Sequence, residues 1–541
     1  MNHLSQKIFT KIYRDYGLKF YPQSFKKNFD LKQKYKSYDI SFRNNKTNFS
    51  IDLASITLTL NPNNIWKKKL FKDREDFSSL HRWSWAIKLI SKKKNIIEFK
   101  EKKFIEDCIL NWCYKYQTSK IEKNDIIFEP YNISERICNY LILLKLKIIR
   151  PNNFVLYNLE KQFFFLLKNI EYYKFRLSNH ALNNLRAIYL FSVFLKNKKI
   201  QKYSLEFINY LLKNYLDENY FFKFGSSNYQ FIFSKWLLDI FLFSKNGDKK
   251  KLLKNKKRLS KVFNTLHFFS EIGNNKNRKI PLFGNISPDF ENDWLINFFF
   301  KKKDNIFFKS YWKKINFSID KKVIRSKEWF KLKNQKFCIF SRNPKLVGFE
   351  FNHSHNDFFN FIFFCYGKEI IIDPGRKNYS FESLKNDVSG KSHNSIIINN
   401  KAIYDDYLFY NVLYKLGFKN LNNCNYLVKT NYKNFIQLKS IEKDFTVLRK
   451  IYLKKNYIEI IDNVLTKKNS NIKLKFNFNM NSEKLKSFIQ KNIVHKSIIK
   501  NSKKIQKNFF HRSYGAEFEG SSLVIEFKNT NKIESNLIVK G

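Results

Sequence analysis

The stretch Lys336–Gly375 decides the fold of this chain: KFCIFSRNPKLVGFEFNHSHNDFFNFIFFCYGKEIIIDPG. Short apolar runs alternate in it with polar and turn-forming residues, a pattern typical of successive β-strands. We expect strands over Lys336–Ser341, Gly348–His353, Phe359–Cys365 and Glu369–Asp373, with a further one at Ser395–Asn399. Together these runs predict a large antiparallel β-sandwich in the second half of the chain.

The sequence before this region has a different periodicity. Between about residues 76 and 271, apolar residues recur at helical spacing. The predicted helices include Asp76–Ser91, Glu98–Tyr116, Ser134–Lys147, Leu177–Leu195 and Asn228–Ser244. Repeated helical hairpins of this length can close into a solenoid or an (α/α) toroid.

Glycine usage also separates the two halves. Only Gly17 and Gly225 occur among the first 246 residues, and the other eleven of the thirteen glycines follow. The stretch Pro281–Asp289, PLFGNISPD, resembles a structured connector more than a flexible linker. A chain of 541 residues is long enough for two domains. We predict a boundary between about 300 and 325, with a helical domain over 1–310 and a β-sandwich domain over 311–541.

The net charge is relevant to the kind of partner that the protein binds. With 102 Lys and Arg against 46 Asp and Glu, the formal net charge is +56. Such a charge is typical of proteins that meet a nucleic acid, an anionic membrane or an acidic polysaccharide. The whole chain is rich in Lys, Asn, Ile, Phe and Tyr, however, as an AT-rich genome would produce, and no basic arm stands apart. A solvated lysine surface explains the excess equally well.

Export, membrane and disulfide signals are missing from the sequence. The N-terminal residues show no apolar stretch before a cleavage site, and no run of about 18 apolar residues occurs. We therefore expect a soluble protein without a classical secretion signal or a spanning helix. The six cysteines form no CxxC pair and no regular spacing, so we expect buried thiols rather than a zinc ribbon or a disulfide framework: Cys108, Cys113, Cys138, Cys338, Cys365 and Cys424.

The densest cluster of metal-capable side chains lies in the second half. His353, His355 and His393 are three of only nine histidines, and they fall within 41 positions. On a strand, residues two apart face the same side, so His353 and His355 would point into one cavity. Asp373 ends an apolar run, where a buried carboxylate needs a cation. Two imidazoles and a carboxylate are a typical zinc ligand set, although histidines satisfied by their neighbours are the alternative.

At this point the sequence resembles a known family, the heparinase II/III-like polysaccharide lyases. The resemblance rests on an HxHxD segment, a following DPG and a later HN, here His353–Asp357, Asp373–Gly375 and His393–Asn394. Upstream segments resemble the family in the same order and extend the match over roughly residues 75 to 410: Glu129–Tyr140, Ser178–Ala187, Gly225–Gln230 and Gly284–Asp289.

The resemblance implies a fold, a reaction and a site. It implies an (α/α) toroid followed by an antiparallel β-sandwich, a cleft between them, and β-elimination in a uronic-acid-containing polysaccharide. Asn179 and His180 would contact the substrate carboxylate or transfer protons, and Tyr229 and His353 would complete the catalytic set. A divalent metal, expected to be zinc in a structural role, would bind His355, Asp373 and His393, and Arg136 would contact the anionic substrate unless it serves a structural purpose.

The chemistry supports these residue types independently. The C5 proton of a uronide is weakly acidic because the neighbouring carboxylate is negative, so this charge must be neutralised as the carbanion forms. An amide or an imidazolium can neutralise it. A base then removes the proton and an acid protonates the leaving oxygen, roles suited to a tyrosine and a histidine.

The chain also departs from the family pattern. Where members often read Glu-Gly-Ser-Ser-His-Tyr, this chain has Phe224–Tyr229, FGSSNY, so an acidic and an imidazole group are missing. The family implies the cell envelope or periplasm, whereas the missing signal peptide favours the cytoplasm. A relative that makes or trims the cell's own surface polysaccharide reconciles the two.

Three alternatives to the lyase remain open at this stage. The first is a glycan-binding or assembly protein that keeps the fold and metal without turnover. The second is a glycoside hydrolase, which needs two paired carboxylic acids, such as Glu129 and Asp217. The third is a nucleic-acid binder, indicated by charge alone and without a recognisable binding module. The sequence does not indicate an oligomeric state.

Overall fold

The structure is a computed structural model that describes residues 47–66, 71–116, 125–172, 178–244, 256–272, 278–303, 305–315, 325–344, 353–403, 426–431 and 433–541. Within these ranges the protein combines thirteen α-helices with a large antiparallel sheet. A small hairpin of β1 (Phe49–Asp52) and β2 (Thr57–Leu60) comes first. The helices follow, and the sheet occupies the rest of the described chain.

Eleven of the helices precede the large sheet, and a 3₁₀ turn at Ile126–Phe128 precedes the fourth. Their bounds are α1 Arg74–Arg82, α2 Ser84–Ser91, α3 Phe99–Lys115, α4 Pro130–Lys145, α5 Asn153–Lys168, α6 Asn179–Phe194, α7 Lys198–Tyr215, α8 Ser227–Phe243, α9 Lys256–Ser270, α10 Asn292–Phe300 and α11 Ile306–Ile315. They agree with the predicted helices within a few residues at most ends.

One predicted helix is two helices in the structure. Asp76–Ser91 divides into α1 and α2 because Trp83 adopts a left-handed backbone conformation, with φ 61°. Its indole is fully buried and packs edge-on against Trp112 and Tyr140, with ring centroids 5.5 and 6.2 Å away. Burial of this large ring compensates for a conformation that few residues other than glycine adopt. Helical periodicity alone does not reveal such a break.

A buried cluster of charges joins four helices of this part. Arg186 on α6 donates to Glu135 on α4 at 2.6 Å and to Asp239 on α8 at 2.8 Å. Lys235 lies 3.0 Å from the same Asp239 carboxylate, and the hydroxyl of Tyr311 on α11 donates to it at 2.6 Å. All four charged side chains are at most 1% exposed. Because the two cations balance the two carboxylates, removing one cation or one carboxylate leaves an unpaired buried charge.

We expect Asp239→Asn to destabilise the protein by about 3–5 kcal/mol, since Arg186 and Lys235 then share a single carboxylate in the interior. Chemical denaturation followed by circular dichroism measures this change. The matched control is Asp444→Asn, in which the same substitution is made at an exposed position. Equal unfolding free energies for the two variants would show that the cluster does not stabilise the helical part.

The sheet is antiparallel at every recorded pairing of named strands. Its strands are β3 Trp329–Lys333, β4 Phe337–Arg342, β5 Phe361–Cys365, β6 Lys368–Ile371, β7 Ile396–Ile398, β8 Lys401–Ala402, β9 Tyr426–Thr430, β10 Phe435–Ile441, β11 Phe445–Leu453, β12 Tyr457–Phe478, β13 Ile493–Ser497, β14 Ser502–Phe510 and β15 Phe518–Lys540. Two short helices, α12 Phe381–Asn386 and α13 Ser482–Asn492, interrupt it. The long strand β12 pairs with β11, β15, β7 and β6, and so connects most of the sheet.

The strands next to the helices are buried on both faces. In β4, Cys338 and Phe340 join the core of the helical part, whereas Phe337 and Ile339 join the core of the sheet. Strand β5 alternates in the same way, since successive side chains of a strand point to opposite faces. The described residues between β4 and β5 therefore lie at the junction of the two cores.

The structure confirms some of the fold predictions and leaves others as predictions. The antiparallel sheet is confirmed, and Pro281–Asp289 is a buried, irregular connector as predicted. Closure of the helices into a toroid, the two-layer sandwich and the domain boundary stay predictions. Five cysteines are buried and free, while Cys424 lies outside the described residues. Among the described helices, none is long and apolar enough to cross a bilayer.

Candidate active site and metal centre

Residues 353–360 form a loop that carries His353 and His355. The predicted strand Gly348–His353 is wrong at its last residue, and the loop that follows is not a strand either. Residues 348–352 of the predicted strand lie outside the described residues, and His353 and His355 lie in irregular backbone. The loop bonds to other loops rather than to a neighbouring strand. Asn285 N–H donates to the His353 carbonyl at 2.7 Å, and Asn356 N–H donates to the Val388 carbonyl at 3.0 Å. Both histidines are nevertheless buried and lie close together.

Arg342, the last residue of β4, holds this loop against the helical part. Its guanidinium is fully buried and donates to the Gly225 carbonyl, just before α8, at 3.0 Å. It also donates to the Ser354 hydroxyl at 2.6 Å and to the Asp357 carboxylate. A second acidic side chain, that of Glu328, lies 3.7 Å away. One planar cation thus fixes the positions of the helix start and the loop relative to each other.

A left-handed backbone and close neighbours at the same junction explain two glycines. Gly225 and Gly284 have φ values of 66° and 72°, in the left-handed region that favours glycine. A Cβ on Gly284 would lie 2.3 Å from the His353 carbonyl oxygen and 2.5 Å from that of Gly225. Any other residue at position 284 would therefore push the loop away from the helical part.

Asn285 bridges the two predicted sets of functional residues. Its side-chain amide lies 3.4 Å from His353 Nδ1, and its Oδ1 accepts from His355 Nε2 at 2.9 Å. Arg376 Nη1 donates to the same oxygen at 3.2 Å. The backbone carbonyl of Asn285 accepts from the Ser226 hydroxyl, which caps α8. Asn285 thus connects the proton-transfer candidate His353 with the metal candidate His355.

Tyr229 and His353, two of the predicted catalytic residues, are in direct contact. Their rings stack with centroids 3.5 Å apart and an interplanar angle of 10°. The Tyr229 hydroxyl shares a hydrogen bond with the Tyr379 hydroxyl at 2.9 Å. Burial, together with the Tyr379 hydroxyl and Asp289, raises the pKa of Tyr229 well above its usual value. The phenol therefore stays protonated at neutral pH and can donate a proton.

Tyr379 and Arg376 are functional candidates that the sequence reasoning missed. The Arg376 guanidinium lies over the Tyr379 ring, 4.9 Å from its centroid, and Arg376 is only partly buried. Burial lowers the pKa of the Arg376 guanidinium, and the nearby Tyr379 and Asp387 partly oppose this effect. Tyr379 is 36% exposed, so the pair reaches solvent beside Tyr229. The only sequence signal was their position directly after Asp373-Pro374-Gly375.

His355, Asp373 and His393 come together as predicted. One metal-capable atom of each lies within 4.8 Å of those of the other two, and all three side chains are buried. His393 Nδ1 lies 2.9 Å from Asp373 Oδ2 and His355 Nε2 lies 2.9 Å from Asn285 Oδ1, so each of these nitrogens donates. This leaves His355 Nδ1 and His393 Nε2 with lone pairs, buried and without a hydrogen-bond partner.

The electrostatics of the trio also suit a cation. Burial and the neighbouring His393 and Arg376 lower the pKa of His355 well below its usual value, so its imidazole is neutral, the form that binds metal. Two unpartnered imidazole nitrogens beside a carboxylate are costly without a ligand. The donor set therefore fits a divalent ion such as zinc.

A second layer of buried polar groups orients the trio. Asn360 donates to Asp373 Oδ2, and Gly375 N–H donates to Asp373 Oδ1 at 2.9 Å. Arg449 is paired with Asp462 at 2.7 and 2.8 Å and donates to the carbonyls of Phe359 and Asn394 at 3.0 Å. These bonds fix the end of the histidine loop and the residue after His393. Such supporting contacts tune metal ligands in proteins generally.

Asn179 and His180 begin helix α6 on the helical side. Asn179 is 5% exposed, and Ser178 at the N-cap makes no capping bond with its side chain. His180 is 44% exposed at the side chain, and its Nδ1 lies 3.1 Å from Glu171 Oε2. Its ring packs 4.7 Å from Tyr131, whose hydroxyl donates to Asp289 at the end of the connector. His180 therefore has both solvent access and an acidic partner.

Arg136 has a structural environment that argues against the predicted contact with substrate. It is 0% exposed, and its guanidinium donates to Gln162 and to the carbonyls of His81 and Ile127. It also lies 4.2 Å from the centre of the Trp112 ring. Because every direction is occupied by protein, we assign Arg136 to the helical core.

We expect Arg342→Met to destabilise the protein by about 3–5 kcal/mol at neutral pH, since it leaves two buried carboxyl groups without their cation. Burial already raises the pKa of Glu328 to about 8 and that of Asp357 above its usual value. Groups with raised pKa values contribute stability below their unfolded pKa and lose it as the pH rises through the folded pKa. The ionised carboxyl groups that Arg342 stabilises are more populated at higher pH, so the loss should be larger at pH 8 than at pH 5.

Urea denaturation at the two pH values measures this effect. The control, Arg150→Met, removes an exposed arginine and should change little at either pH. A loss in Arg342→Met that is the same at pH 5 and pH 8 would contradict the proposed role of the guanidinium.

Comparisons with known proteins agree with this architecture. Residues 323–514 match the family described as Heparinase II/III-like, C-terminal, which confirms the predicted resemblance. No curated protein sequence matches the chain.

Solved structures of similar fold extend the likeness to most of the chain. Heparinase III aligns with a TM-score of 0.64 and 14% identity, over 88% of this chain and 79% of that one. Heparan sulfate lyase HepC from Pedobacter heparinus gives 0.52 and 14%, over 88% and 78%. The heparinase III-BT4657 gene product gives 0.55 and 15%, over 88% and 80%. At these identities the likeness shows that the chain shares the fold of these three proteins.

Proposed function

We propose that the protein is a polysaccharide lyase that cleaves a uronic-acid-containing polysaccharide by β-elimination in the cell envelope. The observation that carries the proposal is the stacked pair of Tyr229 and His353 at the junction of the helical part and the sheet. In this proposal the helices close into a toroid, the sheet is a two-layer sandwich, and the substrate lies between them. The fold shared with heparinase III supports the reaction class.

Tyr229 is proposed as the acid that protonates the leaving glycosidic oxygen. Its raised pKa keeps the proton on the phenol, and its hydroxyl faces Tyr379, which is partly open to solvent. The same shift disfavours Tyr229 as the base, because a buried phenolate is costly. An acid at this position needs only hydrogen-bond reach to the glycosidic oxygen.

His353 is proposed to take the C5 proton. The Asn285 amide lies 3.4 Å from His353 Nδ1 and orients the imidazole for this step. The stacked Tyr229 ring and the Asn285 contact fix the plane of the imidazole. This fixed orientation removes part of the entropic cost of reaching the transition state.

The substrate carboxylate needs positive charge or hydrogen-bond donors while the carbanion forms. Asn179 and His180 are proposed for this purpose on the helical side. Arg376 offers a permanent cation on the opposite side, since its guanidinium reaches the same Asn285 that contacts His353. The partial exposure of Arg376 and His180 suits contact with a sugar from both sides of a cleft.

A divalent ion, expected to be zinc, is proposed at His355, Asp373 and His393. Bound there, it would supply positive charge that fixes the conformation of the His353–Asp357 loop. His355 presents Nδ1 and His393 presents Nε2, while Asp373 is oriented by Asn360 and Gly375. Support of the loop, rather than direct contact with the sugar, is the proposed role.

We expect Tyr229→Phe to lower the rate of lysis at least about a hundredfold, the usual contribution of a general acid. Each elimination creates a conjugated double bond, so ultraviolet absorbance follows the reaction across a panel of uronate polymers. Tyr452→Phe on β11 is the matched control and should keep the full rate. An undiminished rate in Tyr229→Phe would eliminate Tyr229 as the acid.

Elemental analysis of purified protein should find about one divalent ion per chain. His393→Ala should lose the ion because it removes one of three ligands. His495→Ala removes a half-buried histidine of β13, which contacts Ser535, and should keep it. Full metal content in His393→Ala would contradict the site.

The alternative is a glycan-binding or assembly protein of the same fold without turnover. The observation in its favour is Asn228, where family members often have histidine; its amide donates to Asn292 and its oxygen accepts from Ser287 N–H. Binding of uronate polymers without any rise in absorbance would support it. The glycoside hydrolase is less favoured, because Asp217 accepts from the backbone N–H groups of Asn219 and Phe221 and so closes a turn.

A further inference from the structure

The outer face of the sheet carries a second concentration of charge. In β12, Ile472, Leu474 and Phe476 are fully buried in the sheet core. Because side chains alternate along a strand, Lys473 and Lys475 point to the opposite face. The segment that leads to His393 covers part of that face.

Strand register brings a third lysine to the same face. Lys475 pairs with Val524 of β15, which pairs with Lys504 of β14, so all three side chains point the same way. Lys473 pairs with Glu526 in the same manner. The antiparallel pairing of β12, β15 and β14 thus builds a basic surface from residues far apart in sequence.

A cavity of about 330 Å³ lies in this surface. The Lys475 ammonium donates to the Lys391 carbonyl at 2.9 Å, and the Asn477 amide donates to the Ser392 carbonyl at 2.7 Å. These bonds hold the segment 391–392 over the sheet and create one wall. We name the cavity the lysine groove, defined by its lining residues Lys391, Lys473, Lys475, Ile397, Asn400, Gln506 and Val524.

The charges around the lysine groove do not balance. Glu526 is the carboxylate that Lys473 and Lys504 share, with N–O distances of 3.5 and 3.2 Å. Lys475 donates instead to an uncharged carbonyl. Burial lowers the pKa of Lys475 to about 8, which leaves it mainly protonated at neutral pH. An incoming anion would reduce the mutual repulsion of these ammonium groups.

The lining residues indicate the kind of anion. Asn400 and Gln506 supply amides that suit sugar hydroxyls, and Val524 supplies an apolar floor. The lining contains no aromatic ring on which a nucleobase could stack. A volume near the lower end of small-molecule sites suits a short stretch of sugar chain.

We propose that the lysine groove binds a segment of acidic polysaccharide through its sulfate or carboxylate groups, as a second glycan site apart from the Tyr229 cleft. The identity of the polymer rests on the proposed function, whereas the preference for an anion rests on the groove itself. A second site on the sheet would hold a long polymer near the cleft between cleavage events.

The test uses the full chain with Tyr229→Phe, so that turnover does not consume the probe. The probe is a sulfated octasaccharide of alternating uronate and hexosamine, titrated by calorimetry. We expect two binding events per chain, and the added double substitution Lys473→Gln with Lys475→Gln should weaken one of them roughly tenfold for each ammonium group removed. Two lysines on the outer face of β10 and β11 serve as the matched control, Lys439→Gln with Lys450→Gln.

Each outcome decides the proposal. Binding isotherms that are the same in the groove variant and the control variant would overturn it, as would groove-dependent binding of a single-stranded DNA 12-mer tighter than that of the octasaccharide. Lys473→Gln alone, at a partly exposed residue, guards against misfolding of the double variant.

A separate assay keeps the two proposals apart. With Tyr229 intact, the groove variant should cleave a tetrasaccharide at the wild-type rate, because the groove lies outside the cleft. If no variant cleaves anything but groove-dependent binding persists, the lyase proposal fails and the groove remains. If cleavage occurs and the groove substitutions leave binding of the octasaccharide unchanged, only the groove proposal fails.

Discussion

The buried guanidinium of Arg342 is the interaction on which the candidate site depends. It donates at once to the Gly225 carbonyl before α8 and to Ser354 and Asp357 in the histidine loop. Since α8 carries Tyr229 and the loop carries His353, one cation sets the distance between the two proton-transfer candidates. Gly284 allows the loop and the helical part to approach closely enough for this contact.

From this point the network extends to the metal candidates without a break. Asn285 contacts both His353 and His355. Asn360 donates to Asp373 and accepts from the side-chain amide of Asn394, the residue after His393. Networks of this kind are rigid only when every member is satisfied. The two imidazole nitrogens without partners are therefore the positions where a bound ion would complete the arrangement.

The sequence predicted the elements of the site better than their geometry. Helical and strand periodicity located most elements, and the spacing of His355, Asp373 and His393 predicted a cluster that the structure brings together. The loop conformation of His353 was missed because its apolar surroundings resemble a strand, whereas its backbone bonds reach the distant residues Asn285 and Val388. Arg136 shows the same limit, since its burial depends on the packing of Trp112 from another helix.

The central claim is that His353 removes the C5 proton and Tyr229 protonates the leaving oxygen, at the place where the helical part meets the sheet. A crystal structure of the Tyr229→Phe protein with an intact acidic oligosaccharide tests it most directly. We predict that C5 of one uronate lies within about 3.5 Å of an imidazole nitrogen of His353, with the glycosidic oxygen facing the ring of residue 229. An oligosaccharide bound with its uronate C5 far from His353 would contradict the account.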